Sequence, residues 1–403
     1  MSEETLQVIK NAFKKYYFRD SNSVEIPERM SEREFGYLPF GGSMIRHISL
    51  KNPGDLTALL VKESPRGVYV SCSYYNDPAL PMTEKGWKTG DLAFDIDCDD
   101  LNLRCKLEHD RWICKECNKI GKGLRPEKCP GCTNTKILTL NWSCKMCLNA
   151  SRQEAIKLME ILERDFGIRT DQMSVYFSGN KGYHLTVEGS IYEELDQRGR
   201  REMADYLSGN GMDIEVIGLS KTRDIGTMIS LLPSTTEPGW RGRIASFFTD
   251  YEDDVNDNRE NYNQQNRRET SYPIEHDVQK KIANLFSTSK PKKFRKLIDQ
   301  GIRRYGSKID PSVTMDIHRI FRLPGSLHEK TGLSKKRCMN IDSFDPENDP
   351  VELSNEPIHV RIEFSPSLSL RGETFGPYNS EEMELPMYAA VYLMGNKLAR
   401  IVV

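Results

Sequence analysis

Apolar and polar positions alternate most sharply in Asp91-Leu-Ala-Phe-Asp95-Ile-Asp97. Phe94 and Ile96 fall on one side of the pattern and Asp95 and Asp97 on the other, which is the period of a strand. Both acids therefore project from one sheet face, roughly 7 Å apart. A second pattern opens with the capping box Ser151-Arg-Gln-Glu154 and continues with Ala155, Leu158, Met159, Leu162 and Phe166. It predicts a helix starting at Ser151 and stopping at Gly167. Ser174-Val-Tyr-Phe177 and Leu185-Thr-Val187 read as two strands joined by the turn Ser178-Gly-Asn-Lys-Gly-Tyr-His184. Farther on, Arg319 and Arg322 are spaced to share a helix face, and His328 and Lys330 to share a strand face. Residues 250–270 are polar and almost free of apolar positions, which suits an exposed excursion. No solenoid-type repeat is present.

Composition narrows the class. The chain has 403 residues, 37% hydrophobic and 29% charged, as expected of a soluble protein with a large core. No apolar run reaches membrane-spanning length, and Met1-Ser-Glu-Glu-Thr is no signal peptide, so a cytoplasmic location with no membrane partner is expected. A net charge of −2 gives no global nucleic-acid signal, so binding to DNA must rest on local patches. Lys290-Pro-Lys-Lys-Phe-Arg-Lys296, with Arg303 and Arg304, is either such a patch or a solvated helix face.

Eight of the ten cysteines lie between Cys98 and Cys147. In a reducing compartment that clustering points to metal rather than disulfides. Cys114-x-x-Cys117 and Cys129-Pro-Gly-Cys132 form two CxxC turns with a linker long enough to fold back, the pattern of tetrahedral zinc. Cys105-x-x-x-His109 and Cys144-x-x-Cys147 flank this ribbon and make a second, Cys₃His set. Trp112-Ile-Cys-x-x-Cys and Trp142-Ser-Cys-x-x-Cys are two versions of one local motif, so partners between the sets are open to exchange. Every donor is cysteine or histidine and none leaves an open position, so both zinc sites read as structural.

The chemistry rests on the acids. Two like charges on one face repel unless cations sit between them, which suits a pair of Mg²⁺ or Mn²⁺ ions gripping phosphates. The plain alternative is a strand end running into the acidic turn Cys98-Asp99-Asp100. In the turn after Phe177, two glycines let backbone N–H groups approach an anion, and Lys181 adds charge. Its plain alternative is a simple hairpin with a core histidine at position 184. Between Asp310 and Gly332, one or two more acids (Asp310, Asp316) precede a basic stretch through Pro324-Gly325.

In this order the motifs resemble those of the catalytic small subunit of archaeal and eukaryotic DNA primases. The resemblance runs from Arg33-Glu-Phe-Gly36 and Met44-Ile-Arg46-His47, through Lys85-Gly-Trp87 and Asp91–Asp97, to Ser178-Gly-x-x-Gly-x-His184. It continues with Arg322-Leu-Pro-Gly-Ser-Leu-His328-x-Lys330-Thr-Gly332 and ends at Leu385-Pro-Met-Tyr-Ala-Ala-Val391. It implies a mixed α/β primase-polymerase core spanning residues 1–403, with two sheet-and-helix units around a catalytic cleft. A zinc-binding insertion would occupy residues 104–148, and a polar excursion with a basic helical segment residues 245–305.

By the same resemblance Asp95, Asp97 and Asp310 are the ligands of two catalytic Mg²⁺ or Mn²⁺ ions, with Asp316 the second choice for the third ligand. Ser178, Lys181, His184, Arg322, His328 and Lys330 hold the incoming nucleoside triphosphate. Cys105, His109, Cys144 and Cys147 match the family's usual zinc knuckle; the set Cys114, Cys117, Cys129 and Cys132 is an addition. Eukaryotic members tend to carry arginine where this chain has Asn180 and Lys181. The implied activity is template-directed synthesis of short RNA or DNA primers on single-stranded DNA, in a heterodimer with a primase large subunit. A stand-alone primase-polymerase or repair polymerase is the alternative within the enzyme class. A zinc-ribbon nucleic-acid-binding protein with a degenerate core is the alternative outside it.

Overall fold

The computed structural model describes residues 1–213, 215, 218, 231–251 and 275–402. The chain divides into two compact units, Met1–Lys157 with Arg169–Arg201 and Lys308–Val403, and Leu158–Ile168 with Glu202–Ser307. The fold is mixed α/β, as expected.

Two antiparallel sheets carry the first unit. One has the order β11-β3-β1-β2, with β4 added on β3; these strands are β1 (Arg33–Leu38), β2 (Ile45–Ile48), β3 (Gly67–Tyr75), β4 (Trp87–Gly90) and β11 (Ile320–Arg322). The other has the order β12-β9-β10-β5, from β5 (Leu92–Asp97), β9 (Met173–Phe177), β10 (Gly182–Val187) and β12 (Lys336–Arg337). In β5 Leu92, Phe94 and Ile96 are fully buried, so the alternation read from sequence sends Asp95 and Asp97 to the opposite, more open face. The β5–β10 register sets Asp95 opposite His184 and Asp97 opposite Gly182. Glycine is required there: a Cβ on Gly182 would lie 2.0 Å from the Ile96 carbonyl oxygen.

A small sheet, β7 (Ile120–Lys122), β6 (Arg111–Cys114) and β8 (Ile137–Leu140), forms the cysteine-rich insertion, with the short helix Lys106–His109 before it. The long helix Lys145–Phe166 follows. Its stripe is as read, with Ala155, Leu158 and Leu162 buried, and Gly167 ends it at φ 65°. Its start is not. The helix begins six residues before the expected cap, because the Cys144–Cys147 turn already winds as its first turn. Ser151 is interior, and its hydroxyl donates back to the carbonyls of Cys147 and Leu148.

Two further expectations are corrected. Ile320–Arg322 is a strand paired with β3, Ile320 opposite Ser71 and Arg322 opposite Tyr69, so Arg319 and Arg322 share no helix face. Pairing with a segment some 250 residues earlier in the chain overrides the local spacing. His328 and Lys330 lie in a tight loop closed by the Leu327–Ser334 bridge, not on a strand face. That loop is too short for a ladder, and the Lys330 N–H instead donates to His328 Nδ1 at 3.2 Å.

The C-terminal part adds a sheet of β16 (Tyr378–Pro386), β13 (Pro357–Ser365) and β17 (Ala399–Ile401), with a buried helix at Met387–Gly395.

The second unit is helical in its described residues. The helices Gly239–Asp250, Glu275–Thr288 and Pro291–Tyr305 enclose a core containing Ile244, Phe248, Ile282, Phe294 and Ile298. Pro291–Tyr305 buries Phe294, Leu297 and Ile298 and exposes Lys292, Lys293 and Lys296, so the basic run is the outer face of an amphipathic helix. Residues 252–274, most of the polar excursion, lie outside the described residues.

Candidate active site

The first motif contains three acids with two fates. Asp91 is buried and spent on structure: its carboxylate pairs with Arg33 at 2.7 Å and accepts the Tyr74 hydroxyl at 2.7 Å. Asp95 and Asp97 stay on the open face. Asp310 joins them, its N–H donating to the Asp95 carbonyl at 3.0 Å. Its carboxylate caps the short helix Pro311–Met315, accepting from the Ser312 N–H at 2.8 Å. Asp316 faces a different task, accepting the His318 N–H at 2.9 Å.

Burial, then the charges of Asp97 and Asp310, push the Asp95 carboxyl up to about 7, with Arg319 opposing. Asp97 is raised too, mainly by burial, against the pull of Lys181. These are acids short of positive charge.

Across β10, Ser178 closes the glycine turn: its Oγ accepts from the N–H groups of Asn180 and Gly182, each at 3.3 Å. Gly179 has φ 84° and packs against the loop after β11. The Thr331 hydroxyl donates to the Gly179 carbonyl at 2.5 Å, so the glycine turn and the 322–332 segment meet directly.

His184 Nε2 lies 3.4 Å from Asp95 Oδ1, while its Nδ1 is buried without a hydrogen-bond partner. Burial, reinforced by Lys335 and Arg322, holds its pKa well below the ordinary value. Burial and Arg322 bring His328 down to about 3. Both rings are therefore neutral at physiological pH. Lys181 pairs with Asp99 at 2.9 Å. Arg322 is nearly buried, bonded to Glu329, the Tyr69 hydroxyl and the Leu327 carbonyl. Lys330 is exposed.

Several neighbours had no strong sequence signal. Lys335 is buried beneath the site, over the rings of Tyr176 (4.7 Å) and Phe321 (5.5 Å), and burial lowers its pKa to about 8. Arg319, Glu329 and Asp99 sit in or beside motifs that were read for other residues. The separate signatures at Glu34, Arg46 and Lys85 turn out to be one cluster: Glu34 takes Lys85 at 2.6 Å and Arg46 at 2.9 Å.

The donor sets fit the expected metals. Three carboxylates, Asp95 raised by burial and by the charges of Asp97 and Asp310, and Asp97 raised by burial and by Asp99, are hard oxygen donors of the kind Mg²⁺ and Mn²⁺ take. The eight zinc candidates form two groups, Cys105, His109, Cys144 and Cys147, and Cys114, Cys117, Cys129 and Cys132, with donor atoms within 4.8 Å of one another. Sulfur separations such as 3.4 Å for Cys105–Cys147 and 3.5 Å for Cys114–Cys132 approach the roughly 3.8 Å edge of a tetrahedral zinc thiolate site. His109 Nδ1 also meets the Asp110 carboxylate at 2.9 Å, the outer partner that orients a zinc-bound imidazole. The alternative exchange of partners between sets is not what the geometry shows.

Comparison with known proteins bears on the same residues. A family model described as DNA primase small subunit matches residues 139–341. A DNA primase small subunit PriS of Nitrosopumilus maritimus is 39% identical over 401 residues, covering 100% of both chains. The chain belongs to the DNA primase small subunit family. A second member, PriS of Cenarchaeum symbiosum, is 36% identical over 403 residues, and one from Methanococcoides burtonii 28% over 421. The stretch matched by the family model includes the glycine turn, Asp310 and the 322–332 loop, and begins after Asp95 and Asp97. No helix among the described residues is long and apolar enough to cross a membrane.

Proposed function

We propose that this chain is the catalytic subunit of a DNA primase, joining nucleoside triphosphates into short primers on single-stranded DNA. The observation that carries the reading is the meeting of Asp95, Asp97 and Asp310 with a glycine turn and two neutral histidines. In this reading the three carboxylates hold two divalent ions, which when bound lower the pKa of a 3′-hydroxyl and neutralise the departing pyrophosphate. The backbone of the Ser178–Gly182 turn and Lys181 take the triphosphate, with Arg322, His328 and Lys330 along its other side. Neutral His184 and His328 suit this task, since each can donate a hydrogen bond to phosphate without a charge that would hold back pyrophosphate. The two zinc sets brace the insertion. A larger primase subunit is the expected partner, since the net charge of −2 offers little unaided grip on DNA.

The decisive experiment is template-dependent synthesis with no primer present, run separately with ribo- and deoxyribonucleotides. Primers made only when a large subunit is added support the heterodimer. A chain that elongates supplied primers and starts none, with or without a large subunit, belongs instead with stand-alone repair polymerases.

A further inference from the structure

The two buried or half-buried cations assigned to the triphosphate already have anions. Lys181 Nζ lies 2.9 Å from Asp99 Oδ2, and the Arg322 guanidinium meets Glu329. Burial works to raise Glu329, but the Arg322 charge outweighs it and holds the carboxylate at about 2, ionised throughout the physiological range. The pairs flank one place, because the turn bearing Lys181 and the loop bearing Glu329 are tied by the bond from Thr331 to Gly179.

Three observations separate these pairs from ordinary structural ion pairs. They are reachable: the side chains are 15% and 31% exposed in the first pair, 7% and 22% in the second, against 0% for both partners of Lys85–Glu34. They leave few orphans when opened. Asp99 keeps the Asn141 amide at 3.2 Å, and Arg322 keeps Tyr69 and Leu327. And Asp99 is anchored from behind, its N–H donating to Asp97 Oδ1 at 2.9 Å and its carbonyl accepting Lys106 Nζ at 2.8 Å.

We infer that Asp99 and Glu329 are stand-in anions: they occupy Lys181 and Arg322 in the nucleotide-free chain, yield them to an arriving polyphosphate, and so set the affinity and anion selectivity of the site. The inference rests on the reading that these cations bind triphosphate. A carboxylate that must be displaced weakens binding by stabilising only the empty state. It also discriminates, since a lone phosphate or sulfate repays less than a polyphosphate that takes both cations together. When pyrophosphate is the product, the returning carboxylates help expel it.

The test uses the full chain in chelator, so that the catalytic acids take no part, with inorganic tripolyphosphate and pyrophosphate as probes by calorimetry. Asp99→Asn and Glu329→Gln should each tighten tripolyphosphate about two- to fivefold, the range of a partly exposed ion pair. Lys181→Met should weaken it, and Asp99→Asn on that background should then do nothing. In steady-state synthesis Asp99→Asn should lower KM and kcat together, as pyrophosphate lingers. Unchanged or weaker tripolyphosphate binding in both carboxylate variants, with Lys181→Met still weakening it, overturns the stand-in role and leaves the cradle intact. Binding indifferent to Lys181→Met removes the cradle reading, and the inference with it. Two carboxylates probed independently keep the test open if one variant fails to fold.

Discussion

Replacing Asp95 by asparagine separates the electrostatics of the site from its chemistry. Burial, Asp97 and Asp310 raise this carboxyl from 3.8 to about 7. A carboxyl with its folded pKa above its unfolded one binds its proton more tightly when folded. Its ionisation therefore costs stability progressively as pH rises from the unfolded value, and the full cost is present above the folded value. A rise of that size corresponds to about 4 kcal/mol. The side chain is 28% exposed, so screening by water reduces this to about 1–3 kcal/mol. Asparagine keeps the shape and never ionises. In chelator at about pH 8 the variant should thus be more stable than the parent by about 1–3 kcal/mol in urea unfolding followed by circular dichroism. The gap should narrow as pH falls toward about 5. Saturating magnesium should reverse the order, because the parent gains binding energy that the variant has lost. Nucleotidyl transfer should be abolished in the variant under all conditions. A variant less stable than the parent at pH 8 in chelator refutes the claim that Asp95 is an acid short of positive charge.

Asp310→Asn should abolish nucleotidyl transfer, measured on a supplied primer, while Asp316→Asn retains it; the reverse result reassigns the third ligand. Elemental analysis should find two zinc ions per chain. Cys129→Ser should lose one and keep primer-extension activity, whereas Cys147→Ser should lose the other and lower the activity, since Asn141 and Lys106 of that knuckle hold Asp99, whose backbone N–H in turn holds the Asp97 carboxylate. Gly182→Ala drives a Cβ against the Ile96 carbonyl beside Asp97; it should cost about 1–3 kcal/mol in chemical unfolding and most of the activity, and an active, fully stable variant contradicts the packing argument.

The parts of the site that were legible in the sequence are those written in local spacing. Asp95 and Asp97 follow from a period of two, the two candidate zinc sets from CxxC turns and from Cys105-x-x-x-His109, and the glycine turn from two glycines between strands. What escaped was set by distant chain. Arg319 and Arg322 carry helical spacing, yet β3 recruits their segment as a strand. Ser151 has the composition of a cap, yet the Cys144–Cys147 turn winds the helix earlier and the same hydroxyl serves inside it. Lys335 looks like any surface lysine and is buried under the site by strands from two sheets. Glu34, Arg46 and Lys85 lie in three separate stretches of sequence, and only folding unites them around one carboxylate.

The charges of the site also explain one another. Acids cluster on β5 and on the turn before Pro311, while cations gather on the glycine turn, at the end of β11 and in the loop after it. The cations are largely matched in the empty chain, Lys181 by Asp99 and Arg322 by Glu329. The acids are not, and Asp95 sits near half-protonation at neutral pH. On the proposed reading divalent ions would therefore meet an unmatched charge, whereas the triphosphate would have to displace an anion already in place. On the proposed reading a metal–triphosphate complex would satisfy both sides at once, its metals offsetting the repulsion among the carboxylates while its phosphates take over the cations. Bound metals would also ease the repulsion that the carboxylates exert on the phosphates, and this coupling would make joint binding the favourable course.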